Sequence, residues 1–248
     1  MKKSTRFASF SAAVIVMAAV IGAPAAAGAT DRADWTSQGG ATADAKSGAM
    51  DVSIGFPSMI LMAHLPIVKH LEVDPFAEIF YWDNISTTTP FVGTNLGARL
   101  KLNMVDRGKL QIAMMADLSA GVVFYHIENG DNVGSGFNLR LTFPQFIISG
   151  RVTDKLHLFG GVKFPMTLYV SPAIEFSMVI AGNFGIEMML TKRLNFFISV
   201  DCGPEIRWGN RKLSAVQPAD PNQVTYDKGA WNDINGWLST SVGLSVRF

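Results

Sequence analysis

Leu194-Asn-Phe-Phe-Ile-Ser-Val-Asp-Cys-Gly-Pro-Glu-Ile-Arg-Trp208 decides the fold of this 248-residue chain. One parity reads Phe196, Ile198, Val200, Cys202, Pro204, Ile206 and Trp208; the other reads Asn195, Phe197, Ser199, Asp201, Gly203, Glu205 and Arg207. The chain's last stretch repeats the pattern. Leu238, Thr240, Val242, Leu244, Val246 and Phe248 share one face, and Trp237, Ser239, Ser241, Gly243, Ser245 and Arg247 share the other. A period of two is the strand period, because successive side chains point to opposite sides of a sheet. The apolar face carries no charge in either stretch, whereas the opposite face carries Asp, Glu and Arg. A membrane barrel puts the apolar face toward lipid and keeps a polar interior.

Working backward from Phe248, short polar breaks occur at 105–109, 153–155 and 191–193, each followed by Leu and a fresh alternation. These are tight hairpin turns. The intervening connections are longer: Asp83–Phe91, His126–Phe137, Val170–Ala173 and Gly209–Gly236. Short turns on one rim and longer loops on the other is the asymmetry of transmembrane barrels, with the short side periplasmic. The expected fold is all-β, a transmembrane antiparallel up-and-down β-barrel of eight strands, with ten as the alternative. The eight run at about 71–82, 92–104, 110–125, 138–151, 156–169, 174–190, 194–208 and 237–248. An even number leaves both chain ends on the periplasmic side, and counting Met50–Met62 as one further strand would break that parity. In strand 138–151 the phase changes after Phe143, so Pro144 is expected to mark a bulge. In strand 71–82, Phe80 and Trp82 share parity with Glu78, which leaves its register open.

Ahead of the barrel, Lys2, Lys3 and Arg6 precede the apolar run Phe10–Ile21, and Ala27-Gly28-Ala29 offers a cleavage site. Residues 1–29 therefore read as a cleaved secretory signal peptide, and export together with a membrane barrel makes the outer membrane of a Gram-negative cell the expected location. Residues 30–49, rich in Ala, Gly, Ser, Thr and Asp, read as a flexible periplasmic leader. Residues 50–70 are too apolar for water and are broken by Pro57 and Pro66; an extra strand, a short interfacial helix and packing on or in the barrel all fit, and packing on or in the barrel is the expectation. Residues 71–248 form the barrel.

The alternating strands and the terminal Phe248 resemble small bacterial outer-membrane barrels of the OmpX/OmpW/OmpA-barrel type. The resemblance implies that Phe248 belongs to the assembly signal read by the barrel assembly machinery, and that the surface meets outer-membrane lipid and lipopolysaccharide. It is silent on activity, because this barrel type hosts structural, adhesive, channel and enzymatic members.

The formal net charge of +1 gives no electrostatic case for nucleic acid. An eight-stranded barrel is just wide enough for its side chains to fill. The inward parity carries Glu78, Asp117, Glu175, Glu187, Asp201 and Glu205 against Arg99, Lys101, Arg140, Lys163, Arg207 and Arg247. Such a balance predicts an ion-pair network that plugs the lumen, since a buried charge left alone costs several kcal/mol. The alternative is a narrow polar pathway for a small or hydrophobic solute.

Catalysis would need a histidine beside a nucleophile and an orienting carboxylate. Of His64, His70, His126 and His157, only His126 is placed near the outer rim, with Glu128 two residues on and Ser135 in the same loop. No serine stands two residues from His126, as outer-membrane lipid deacylases of this shape require. The expectation is therefore no enzyme, no catalytic residues, no cofactor and no metal site, His157 joining the lumen network. The lone Cys202 lies on the lipid-facing parity as a small hydrophobe. An external partner is left unidentified, with the long loop Gly209–Gly236 as the place for binding. Its Arg211 and Lys212 either meet lipopolysaccharide phosphates or form a solvated rim.

Overall fold

The computed structural model describes residues 35–42, 47–81, 91–107, 109–126, 133–170, 174–209, 212–213, 226–227 and 231–248. The expected signal peptide, Trp82, Glu128 and most of the loop 209–236 fall outside these residues. Ten up-and-down strands form the wall: β1 (Ala49–Phe56), β2 (Ser58–Val68), β3 (Leu71–Phe80), β4 (Phe91–Arg107), β5 (Leu110–His126), β6 (Val133–Thr153), β7 (Leu156–Tyr169), β8, β9 (Leu194–Gly209) and β10 (Trp231–Arg247). Strand β8 comprises two segments, Glu175–Val179 and Ala181–Met189, that pair with the same neighbours on either side of Ile180. Every neighbouring pair is antiparallel, and β10 returns to β1 from Ala49↔Arg247 to Phe56↔Thr240, closing the barrel. Lys212–Leu213 and Tyr226–Asp227 form a separate small ladder inside the β9–β10 connection.

The wall thus has ten strands rather than eight, and it begins at Ala49 rather than near residue 71. Residues 50–70 do not pack on a finished barrel; they are two of its staves. Parity excludes one added strand but admits two, so both chain ends still meet on the short-turn rim, where Gly48 and Phe248 exchange backbone hydrogen bonds. Two prolines obscure this hairpin in the sequence. Pro57 sits in the β1–β2 turn, and Pro66 lies beside a register shift in the β2–β3 ladder.

The remaining wall follows the alternation. In β6 the inward set is Asn138, Arg140 and Thr142, then Gln145, Ile147 and Ser149, and the register shifts between Thr142 and Gln145. The bulge at Pro144 is where the phase resets. Strand β3 also acquires a definite register, with Glu72, Asp74, Phe76, Glu78 and Phe80 inward. Its two inward aromatics have a physical reason. Phe76 stands opposite Gly97 and Phe80 opposite Gly93, while Phe159 faces Gly185 and Phe197 faces Gly243. Each ring lies across the neighbouring strand over a residue with no side chain. At Gly97 an added Cβ would come within 2.6 Å of the Phe76 ring. These pairs fill the lumen where glycine would otherwise leave the inner surface bare.

The outer surface is an apolar belt. Leu96, Leu118, Phe184, Ile148, Val242 and Leu244 all stand exposed on it, with Leu96 at 71%. Isolated exposed apolar side chains are ordinary, but a continuous belt is what lipid selects and water does not. Trp208 packs against Phe176 with ring centroids 4.5 Å apart near the long-loop rim, in keeping with an interfacial girdle. Cys202 is exposed on the same outward face.

Candidate functional site

Ten strands enclose more room than eight, and side chains alone no longer fill it. Residues 35–42 occupy the lumen at the short-turn rim. Trp35, Thr36, Ser37, Gly39, Gly40 and Ala41 are all buried there. This corrects the flexible leader expected over 30–49, at least across the described residues 35–42 and 47–49. Small polar residues make the segment look like a linker, yet they also make it thin. A Cβ at Gly40 would lie 3.1 Å from the Gln111 backbone, so a larger residue there would press on the wall.

The wall satisfies the segment's backbone group by group. Glu187 accepts hydrogen bonds from the backbone N–H of Ser37 at 2.9 Å and of Gln38 at 3.2 Å, and from Asn195 Nδ2 at 2.8 Å. Ser149 Oγ accepts from the Gly40 N–H at 2.8 Å. Lys101 Nζ donates to the Thr36 carbonyl at 3.1 Å, and Asn103 Nδ2 to the Gly40 carbonyl at 2.7 Å. Thr42 Oγ1 donates to the Lys69 carbonyl in the β2–β3 turn. An unsatisfied buried backbone group is costly, so these partners are what allow a non-strand segment to sit inside the wall.

Beside this segment lies a buried cluster. His64 on β2 places Nδ1 at 2.9 Å from Glu72 Oε1 and 3.4 Å from Asp74 Oδ1, both on β3, and Nε2 at 2.9 Å from Asp51 Oδ2 on β1. Lys101 Nζ stands 3.7 Å from Glu72 Oε1. Trp35 of the plug meets the His64 ring edge-on at a centroid distance of 6.1 Å, and Gln38 Nε2 donates to Asp51 Oδ2 at 3.0 Å.

Above the plug the lumen widens into a cavity of about 200 Å³ with Gln38 among its lining residues. Its walls carry ion pairs: Arg99 Nε to Asp117 at 2.8 Å, Arg140 Nη1 to Glu78 at 2.9 Å, and Lys163 Nζ to Asp201 at 2.6 Å. Near the long-loop rim Arg207 bridges Glu175 at 3.2 Å and Glu205 at 2.9 Å. Phe80 lies beneath the Arg140 guanidinium at 4.4 Å, and Trp237 lies 5.4 Å from Lys163 Nζ.

All twelve charged residues assigned to the lumen from sequence therefore face it, but they do not form one network. Nine of them enter cross-strand pairs with acid or base partners, and Glu205 pairs with Arg207 along its own strand. Glu187 instead holds the plug, and Arg247 reaches Ser47 Oγ at 3.3 Å by the short-turn rim. Asp51, His64, Glu72 and Asp74 were missed. Their signal is faint: Asp51 and His64 are the charged or titratable residues on the inward parity of an otherwise apolar stretch, and Asp74 is masked by Pro75. Cross-strand pairing brings these residues together, and His64, Glu72 and Asp74 now offer donors where sequence spacing showed no metal site. His157 faces the lumen and is buried, whereas His70 is exposed in a turn. His126 ends β5, and Ser135 lies exposed on β6 opposite Phe124.

No family model and no curated protein matches this chain. Among solved structures it is similar to the outer membrane protease OmpT from Escherichia coli, at 11% identity and a TM-score of 0.38, over 82% of this chain and 93% of that one. It is also similar to the outer membrane protein OprG from Pseudomonas aeruginosa, at 13% identity and a TM-score of 0.37, over 85% and 99%. The N-terminal β-barrel domain of Pseudomonas aeruginosa OprF shares 10% identity at a TM-score of 0.35, over 82% and 96%. At this level of similarity no residue and no activity transfers from them to this chain.

Proposed function

We propose that this chain is a non-enzymatic outer-membrane β-barrel protein of structural or surface-binding role, with its lumen closed at the periplasmic end by its own N-terminal segment. The observation that supports it most is the seating of residues 35–42 on Glu187, Lys101, Asn103 and Ser149. Ion passage needs a continuous hydrated path, and this segment occupies the path with chain whose backbone is held by wall side chains at Thr36, Ser37, Gln38 and Gly40. The ion pairs Arg99–Asp117, Arg140–Glu78 and Lys163–Asp201 line the cavity above it. Binding then belongs to the lumen residues above the segment and to the long loop Gly209–Gly236, whose Arg211 and Lys212 would supply cations for lipopolysaccharide phosphates.

A second reading, a gated narrow channel, draws support from the polar cavity above the plug, since one short segment separates it from the short-turn rim. The test is conductance of the refolded mature protein in a planar bilayer, alongside a variant lacking residues 30–46. Silence from the intact barrel and current steps from the deletion variant are expected. Reproducible steps from the intact barrel, with folding verified by heat-dependent gel mobility, would overturn the closed reading in favour of the channel.

A further inference from the structure

The geometry points to a divalent transition-metal site, with zinc as the reference ion, held by His64 Nδ1, Glu72 Oε1 and Asp74 Oδ1 beneath the N-terminal plug. Three observations carry it, beginning with the donor spacing. Two donors bound at about 2.1 Å to one metal stand about 3.0 Å apart at a right angle and about 3.4 Å apart at the tetrahedral angle. Here His64 Nδ1 lies 2.9 Å from Glu72 Oε1 and 3.4 Å from Asp74 Oδ1. One imidazole nitrogen with two carboxylate oxygens is a donor set that suits zinc and its neighbours.

The second observation is Asp74 itself. Its side chain is buried; Oδ1 has one long contact, at 3.4 Å from His64 Nδ1, and Oδ2 accepts no hydrogen bond. A buried carboxylate held by one long contact is costly unless a cation meets it more closely. Arg99 faces this region but makes a two-pronged contact with Asp117 through Nε and Nη2.

The third is charge. Asp51, Glu72 and Asp74 bring three negative charges into a space closed to solvent, and Lys101 brings one positive charge. A protonated His64 would still leave one negative charge over. A divalent ion with a neutral imidazole balances the group. The outer nitrogen fits this arrangement: His64 Nε2 stands 2.9 Å from Asp51 Oδ2, and a carboxylate behind the ring is the usual support of a metal-bound histidine. With Trp35 against the ring and no solvent access, the site is structural. It ties β1, β2 and β3 to one another at the rim where the plug seats.

The experiment is to refold the mature chain with zinc or with EDTA, pass it through gel filtration, and count metal per folded barrel by mass spectrometry. Loading during refolding avoids the closed entry path. One zinc per barrel is expected, falling to background in Asp74→Asn, and Asp51→Asn should weaken retention about 10–100-fold. Substoichiometric zinc in the native barrel, or equal retention in Asp74→Asn, would overturn the site. Should the variants not fold, zinc-edge X-ray absorption of the loaded native barrel decides instead. One imidazole with oxygen neighbours is expected, and a shell without imidazole would refute the assignment. The outcome is independent of conductance: a barrel that passes current and still holds zinc refutes the closed lumen and leaves this site standing.

Discussion

Glu187 and Lys163 are both charged, both inward and both assigned to the lumen from sequence, yet their surroundings differ. Glu187 is buried and is the acceptor for three N–H groups, two of them on the plug backbone. Lys163 lines the open cavity, its side chain 18% exposed, and pairs with Asp201. Removing the first leaves donors without partners in a dry place, at about 1–3 kcal/mol for each stranded group. Removing the second breaks a part-buried pair with Asp201 but strands no group of residues 35–42. Glu187→Ala should therefore release the plug, seen as rapid hydrogen exchange at residues 36–41 with the wall still protected, while Lys163→Ala should leave exchange there unchanged. Equal exchange in the two variants would contradict this division. Parity in the sequence identified both residues as inward; nothing local to either told them apart, because the difference is set by whether the plug lies over them.

The β1–β2 hairpin shows the same limit for an element. Its outward residues Val52, Ile54, Leu61 and Leu65 and inward residues Asp51, Ser53, Met62 and His64 do alternate. The strands are short, at 8 and 11 residues, and prolines interrupt both the turn and the second arm. A local reading sees an apolar stretch with breaks. The pairing that makes it a wall element comes from β10, almost 200 residues away in sequence. Strand β1 is hydrogen-bonded on both sides, so no edge exists to tolerate a proline. Val52, opposite Leu244 on one side and Leu61 on the other, is central to it. Val52→Pro should abolish the heat-modifiable folded band on gels. A folded band of normal intensity would mean that the barrel closes without β1.

For the molecule as a whole, the decisive property is that the polar side is inside. Leu118 lies at the middle of β5, faces outward and is 62% exposed. In lipid, Leu118→Arg should destabilise the barrel by about 2–4 kcal/mol, read from urea unfolding in phospholipid vesicles. An unchanged midpoint would argue that this face does not meet hydrocarbon. From β4 onward the direction of the wall residues was legible from the sequence alone, since alternation is a property of two successive residues and needs no partner; in β1 to β3 prolines and inward aromatics blurred it. The phase reset at Pro144 was legible for the same reason. The number of strands, the lumen width, the seating of residues 35–42 and the assembly of His64 with Asp51, Glu72 and Asp74 were decided only by the tertiary structure. Each depends on residues that closure of the barrel brings together across strands. Period two says which way a side chain points, but not what it will meet there.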